Sequence, residues 1–211
     1  MKYDYSAKYK YAEGSSRDEY EKLRFSGLLG KYRYRREQEA VNYFIEKLPA
    51  QVSVLDCPCG TGRWWPVLAK RASKILARDI SSGMLEHAKK YAEQIKIDVG
   101  VEYGDAEALD LKDDSVDYTF SFALTKHIPR PMQYKIIQEF ARVSRFGVIC
   151  SFGIFSHLNY EFWRRRNLQE SYPVLREELD WIAEAAGLTV GPSRKCTTPL
   201  GTEEVVFLLK K

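Results

Sequence analysis

The stretch VLDCPCGTGRW, residues 54–64, places an acid, two cysteines and two glycines within one turn. Asp56 closes an apolar run, and Gly60 and Gly62 permit positive φ and close approach of a ligand to bare backbone. A helix opening near Thr61 or Gly62 would add unpaired N–H groups facing the same space. A dinucleotide site favours a third glycine at position 65, and a phosphate loop needs a lysine after the last glycine. The chain has Trp64 and Trp65 after Arg63 instead, which suits a nucleoside without phosphates. Asp79 ends the next apolar run, where a carboxylate accepts hydrogen bonds from both ribose hydroxyls. Its alternative role is that of a capping acid before Ser81.

These residues need elements to hold them, and the hydrophobic period supplies those elements. Ala40, Val41, Phe44, Ile45 and Leu48 recur at helical spacing within a stretch from about Asp18, which Gly27 and Gly30 are expected to divide into two helices. Then QVSVLDC, KILARDI, IDVGVEYGD, SVDYTFSFAL and FGVICSFGIF read as strands. Between them WWPVLAKRA, SSGMLEHAKKYAEQI and PMQYKIIQEFARV read as helices, the second capped by Ser81 or Ser82. SHLNYEFWRRRNLQE is a polar, aromatic, helical insert. LREELDWIAEAAG is a helix closed by Gly187, and LTVGPS and EEVVFLL form a final antiparallel pair joined through Pro199 and Gly201. Such alternation predicts a mostly parallel sheet covered on both faces, with ligands at the carboxyl ends of the strands.

The 211 residues, 45% hydrophobic and 29% charged, suit a single globular domain. No apolar run reaches the length of a membrane span, and the polar N-terminus does not read as a signal peptide, so a cytoplasmic location is expected. Cys57, Cys59, Cys150 and Cys196, with His87, His127 and His157, lack metal-ligand spacing, and no metal is expected. Lysine and arginine exceed acids by 33 to 29, a net charge of +4 that gives little support for a polyanionic partner. The clusters KYRYRR and FWRRRN read first as solvated helix faces.

Beyond the first turn, ARDISSGML and YGDAEALDLKDDSVDYTFSFALTKHI complete a set of four motifs through which the chain, from about residue 40 to 190, resembles class I S-adenosylmethionine-dependent methyltransferases. The resemblance is to the broad branch that includes ubiquinone and menaquinone biosynthesis enzymes. It implies a three-layer αβα sandwich around a seven-stranded sheet, S-adenosylmethionine as methyl donor and S-adenosylhomocysteine as product. Asp56, Gly60 and Gly62 fall on its first motif, with Cys57 and Cys59 as small fillers beside the ligand. Asp79 falls on the ribose position, Ile80 next to it, and Met84 flanks the adenine. Asp105 and Ala106 are implied contacts of the adenine ring, and Ala123 to His127 would line the sulfonium end. Ser144–Gly147 replaces the family's usual Pro-Gly-Gly turn, a change remote from the donor.

Methyl transfer from a sulfonium is an in-line displacement that needs alignment and exclusion of water, and a base only where the acceptor must lose a proton. His127 is the candidate base, or else a packing residue at a helix start. Residues 1–48 are expected to supply a lid and helices, with Tyr5, Tyr9 and Tyr11 covering the donor or packing on the sheet edge. The insert, about 156–171, offers His157, Tyr160, Trp163 and Arg164 to the acceptor. A small molecule is the first acceptor class, RNA the second because the basic clusters interleave cations with aromatics. A non-catalytic donor-binding scaffold is the third reading, and monomer and homodimer both remain open.

Overall fold

The computed structural model describes residues 27–166, 171–196 and 203–210. The first helix, α1 (Gly27–Ile45), runs unbroken through Gly30 and buries Ala40, Val41, Phe44 and Ile45. The expected break at Gly30 does not occur: one glycine costs a helix about 1 kcal/mol, less than burial of this apolar face contributes. Gly27 marks the described start of α1, at φ +72°. Tyr5, Tyr9 and Tyr11, and the loop with Pro199 and Gly201, lie outside the described residues.

The sheet contains β1 (Val52–Asp56), β2 (Ala72–Asp79), β3 (Val99–Tyr103), β4 (Val116–Ser121), β5 (Ser144–Gly153), β6 (Leu188–Lys195) and β7 (Glu203–Lys210). Their order is β3-β2-β1-β4-β5-β7-β6, parallel except that β7 is antiparallel to both neighbours. The helices between strands are α2 (Trp65–Leu68), α3 (Ser82–Ile95), α4 (Arg130–Val143), α5 (His157–Arg166) and α6 (Arg176–Ala185), with a 3-10 turn at Thr125–His127. Side chains of α1, α2 and α3 share one buried cluster on one face, and those of α4 and α6 share the cluster on the other. Strand order therefore reverses between β1 and β4, the place where open α/β sheets leave a crevice.

Local chemistry sets the boundaries. Ser81 caps α3 by accepting the Met84 N–H at 3.3 Å, and Lys96 closes it in the left-handed region. Replacing Ser81 by alanine should lower stability by about 1 kcal/mol, read from a denaturant midpoint. The helix expected over WWPVLAKRA is shorter, only Trp65–Leu68. After it Lys70 and Arg71 donate to Val67 and Leu68, three residues back, and the Arg71 carbonyl receives the Val52 N–H. Strand pairing thus claims the residues that would have prolonged the helix.

Candidate active site

The turn after β1 is fastened on both sides. Cys57 N–H donates to the Phe120 carbonyl of β4 at 3.0 Å, and Cys59 N–H to the Arg78 carbonyl of β2 at 2.9 Å. Gly60 lies at φ +53° and Gly62 at φ +80°. A Cβ on Gly60 would meet nothing within 4 Å, whereas one on Gly62 would lie 2.5 Å from the Trp65 ring. The two glycines therefore serve different ends. Gly60 faces open space, and Gly62 makes room for a tryptophan. Because α2 begins only at Trp65, no helix N-terminus faces the turn at Thr61 or Gly62 as the sequence suggested.

Asp56 is buried and accepts the Trp65 Nε1–H at 2.9 Å. Burial pushes its carboxyl up to about 8, the tryptophan bond and Arg63 opposing and the Asp79 charge assisting. Trp65 was legible only as a missing glycine; the structure makes it the partner of Asp56. This acid has a consequence for stability. Its unfolded-state value is near 3.8 and its folded value about 8, so the folded protein holds the extra proton between them. The contribution is complete below about pH 4 and lost as pH rises through about 8. The melting temperature of Asp56→Asn should fall less over that window than that of the parent; equal slopes would show that Asp56 does not titrate there.

Asp79, 6% exposed, binds the turn to the next helix. One oxygen accepts the Gly60 N–H at 2.8 Å and the other the Ser81 N–H at 2.9 Å. The capping contact is present, and a carboxylate with about four lone-pair sites keeps capacity beyond these two bonds. Burial raises its pKa, opposed by the N–H groups of Ser81, Gly60 and Ile80. Ile80 is half-buried and Met84 buried at the start of α3. Asp105 follows β3 and accepts the Glu107 N–H at 3.0 Å, with Ala106 buried beside it. Asp56, Gly60, Asp79, Asp105 and Ala123 all lie at or just beyond the carboxyl ends of β1 to β4. Cys57 and Cys59 are free and buried, and burial raises both thiols well above their usual range.

Across the crevice, Ala123 adopts φ +62° and donates its N–H to Ser151 Oγ at 2.7 Å. His127 ends the 3-10 turn, half-buried, with its N–H on the Leu124 carbonyl at 2.9 Å. Tyr160 on α5 accepts from Arg130 at 2.6 Å and packs on Trp163, ring centroids 5.4 Å apart. His157 and Arg164 do not join them: both are exposed, His157 facing Glu177 at 3.3 Å and Arg164 paired with Glu161 at 2.8 Å. A cleft of about 570 Å³ between α4 and α6, containing Tyr134 and Trp181, is a separate feature.

Sequence reading missed a buried charge cluster beside the turn. Glu37 of α1 is fully buried, 3.0 Å from Arg63 and 3.6 Å from Arg33. The Arg63 guanidinium lies over the Trp64 and Phe122 rings, 4.4 and 5.0 Å from their centroids. The signal was available: Glu37 occupies the same helical stripe as Val41 and Phe44, where an isolated acid requires a partner.

The family described as methyltransferase domain matches residues 54–147, a little under half of the chain. The chain is similar to the crystal structure of magnesium protoporphyrin IX methyltransferase from Synechocystis PCC 6803 with bound S-adenosylhomocysteine. That likeness has a TM-score of 0.73 at 15% identity and covers 97% of this chain and 94% of that one. The fold is the class I, Rossmann-like fold of S-adenosylmethionine-dependent methyltransferases. Among curated proteins, the biotin biosynthesis bifunctional protein BioHC of Cellvibrio japonicus is 37% identical over 106 residues, 49% of this chain and 20% of that protein. A ubiquinone biosynthesis O-methyltransferase of Coxiella burnetii is 30% identical over 80 residues, 38% of this chain and 34% of that protein. The matched stretch thus spans about a fifth to a third of these relatives' lengths. The family match over residues 54–147 contains the turn after β1, Asp79, Asp105 and Ala123, and stops before Ser151. Among the described residues no helix is long and apolar enough to cross a membrane.

Proposed function

We propose that the chain transfers a methyl group from S-adenosylmethionine to a neutral small molecule. The observation that carries this reading is Gly60, half-buried with open space where a Cβ would stand and its N–H 2.8 Å from the Asp79 carboxylate, at the reversal of strand order. The residues fit such a donor. A Cβ on Gly60 would stand in the open space left for the donor, and Ser121 Oγ, 1% exposed at the end of β4, has no hydrogen-bond partner among the described residues. The Trp65 ring occupies the space beside Gly62, which leaves the turn unlike a pyrophosphate loop.

When bound, S-adenosylmethionine supplies a methyl group already activated on sulfur and leaves as S-adenosylhomocysteine. The chain's part is to hold and align. Asp79 binds the ribose hydroxyls, Ile80 and Met84 flank the base, and Asp105 with Ala106 binds its edge. Asp56 and Cys57 form the floor, Gly60 and Ala123 give backbone access, and Gly62 shapes the turn by seating Trp65. His127 takes the proton from the acceptor's hydroxyl at an imidazole nitrogen. Tyr160 and Trp163 form an aromatic wall for the acceptor.

The charge pattern favours a neutral acceptor. Lys126 pairs with Glu203, Arg130 with Glu178, Arg164 with Glu161 and Arg176 with Glu204. On α1, Arg35 and Arg36 both pair with Glu39. Cations matched in this way offer little to a row of phosphates. The test is transfer of isotopic label from methyl-labelled S-adenosylmethionine to phenols and hydroquinones, to acyl carboxylates and to tRNA, at low and high salt. Label should enter the phenol or hydroquinone fraction at a rate that changes little with salt, and label in the carboxylates alone would overturn the neutral acceptor. Label in tRNA alone, with steep loss at high salt, would overturn the acceptor class. Donor binding without transfer to any acceptor would favour a scaffold.

A further inference from the structure

Glu203 opens β7, far from the matched segment, yet is 6% exposed. In the antiparallel register it lies opposite Gly153, and Val205 lies opposite Ser151. Glu203 and Ser151 are therefore diagonal neighbours on one face of the sheet. Ser151 Oγ donates to Glu203 Oε1 at 3.2 Å while accepting the Ala123 N–H at 2.7 Å. The other carboxylate oxygen, Oε2, accepts from Lys126 Nζ at 2.9 Å. One buried carboxylate thus holds Ala123 through Ser151 and Lys126 directly, within the segment Ala123–His127. Thr125 Oγ1 donates to the Ser151 carbonyl at 2.5 Å, which ties the middle to the same strand residue.

The segment needs such support. Ala123 is held at φ +62°, a conformation few non-glycine residues adopt without surrounding structure to fix it. Ser151 alone could accept the Ala123 N–H in more than one hydroxyl rotamer. The Glu203 carboxylate selects the rotamer whose proton points away from Ala123 and whose lone pair points toward it. Lys126 supplies the counter-charge that keeps the carboxylate buried.

We infer that Glu203 is a positioning residue that sets the shape of the Ala123–His127 segment through Ser151 and Lys126. Its bearing on methyl transfer rests on the reading above that this segment lines the donor's methyl end. Glu204, the next residue, is similarly buried (5%) and pairs with Arg176 at 2.8 Å, so it is the control for loss of a buried β7 carboxylate.

The test compares the full chain with Glu203→Gln, Ser151→Ala, the double variant and Glu204→Gln. Amide hydrogen exchange should quicken about tenfold at Ala123–Lys126 in Glu203→Gln, the loss of about one hydrogen bond, and not in Glu204→Gln. The double variant should be no faster there than the faster single variant, because both act on one linkage. With methyl-13C S-adenosylmethionine bound, the methyl resonance should move in Glu203→Gln and Ser151→Ala and stay in Glu204→Gln. Unchanged exchange at 123–126 in Glu203→Gln, or equal quickening in Glu204→Gln, would overturn the inference. The exchange arm needs no ligand; a parent protein that fails to bind the labelled donor would instead sink the methyltransferase reading.

Discussion

Replacing Asp79 by asparagine is expected to weaken S-adenosylmethionine binding by about a hundredfold or more, because two hydrogen bonds to a charged group are worth about 1.5–3 kcal/mol each. The carboxylate has two tasks here. It receives the Gly60 and Ser81 N–H groups at 2.8 and 2.9 Å, and in the proposed complex it receives the ribose hydroxyls as well. Asparagine keeps one accepting oxygen and turns a donor toward one of those N–H groups. The melting temperature should therefore drop by several degrees while the fold persists. Calorimetric titration at a temperature where the variant is folded separates the two effects. Unchanged donor affinity would remove Asp79 from the site and leave it only a tie between the turn and α3.

The second expected result is a contrast between two glycines of one turn. Gly62→Ala should destabilise the protein by about 3 kcal/mol, the sum of a left-handed alanine and an overpacked ring. The added carbon would sit 2.5 Å from Trp65, which is fully buried and bonded to Asp56, so the ring cannot swing aside. In a chain of this size that is about a 10 °C fall in melting temperature. Gly60→Ala carries the same backbone strain, about 1 kcal/mol, but meets no protein atom. Its methyl would project into the space assigned to the donor, so stability should largely hold while donor affinity falls at least tenfold. Thermal melts and titrations of both variants check the contrast. Equal loss of stability in the two would show that the Gly60 cradle is not open.

Much of this was legible in the sequence because alternation of period is a local signal. The seven strands, Ser81 as a cap and the helical insert before Arg166 follow from apolar spacing and capping chemistry. The turn after β1, with its acid and two positive-φ glycines, was legible because glycine and acid positions are few and their chemistry narrow. The division of labour between Gly60 and Gly62 was not, since it depends on where the Trp65 ring folds back. The length of α2 was missed for a related reason: the pairing of Val52 with Arg71, set by tertiary structure, overrode a helical pattern. Ser151 showed only as a hydroxyl within an apolar strand, and its link to Glu203 spans 52 positions. No periodicity announces a diagonal contact between two antiparallel strands. His157 and Arg164 looked like acceptor ligands by their neighbours; in the structure both side chains are exposed and face the acids Glu177 and Glu161.

The most direct test of the donor site is calorimetric titration of the protein, freed of any co-purified nucleoside, with S-adenosylmethionine and, separately, with NAD. One site with a dissociation constant on the order of micromolar for S-adenosylmethionine, and no heat from NAD, is the expected result. Equal binding of NAD, or no binding of S-adenosylmethionine by protein that melts cooperatively, would contradict the assignment of Gly60 and Asp79 to a methyl donor.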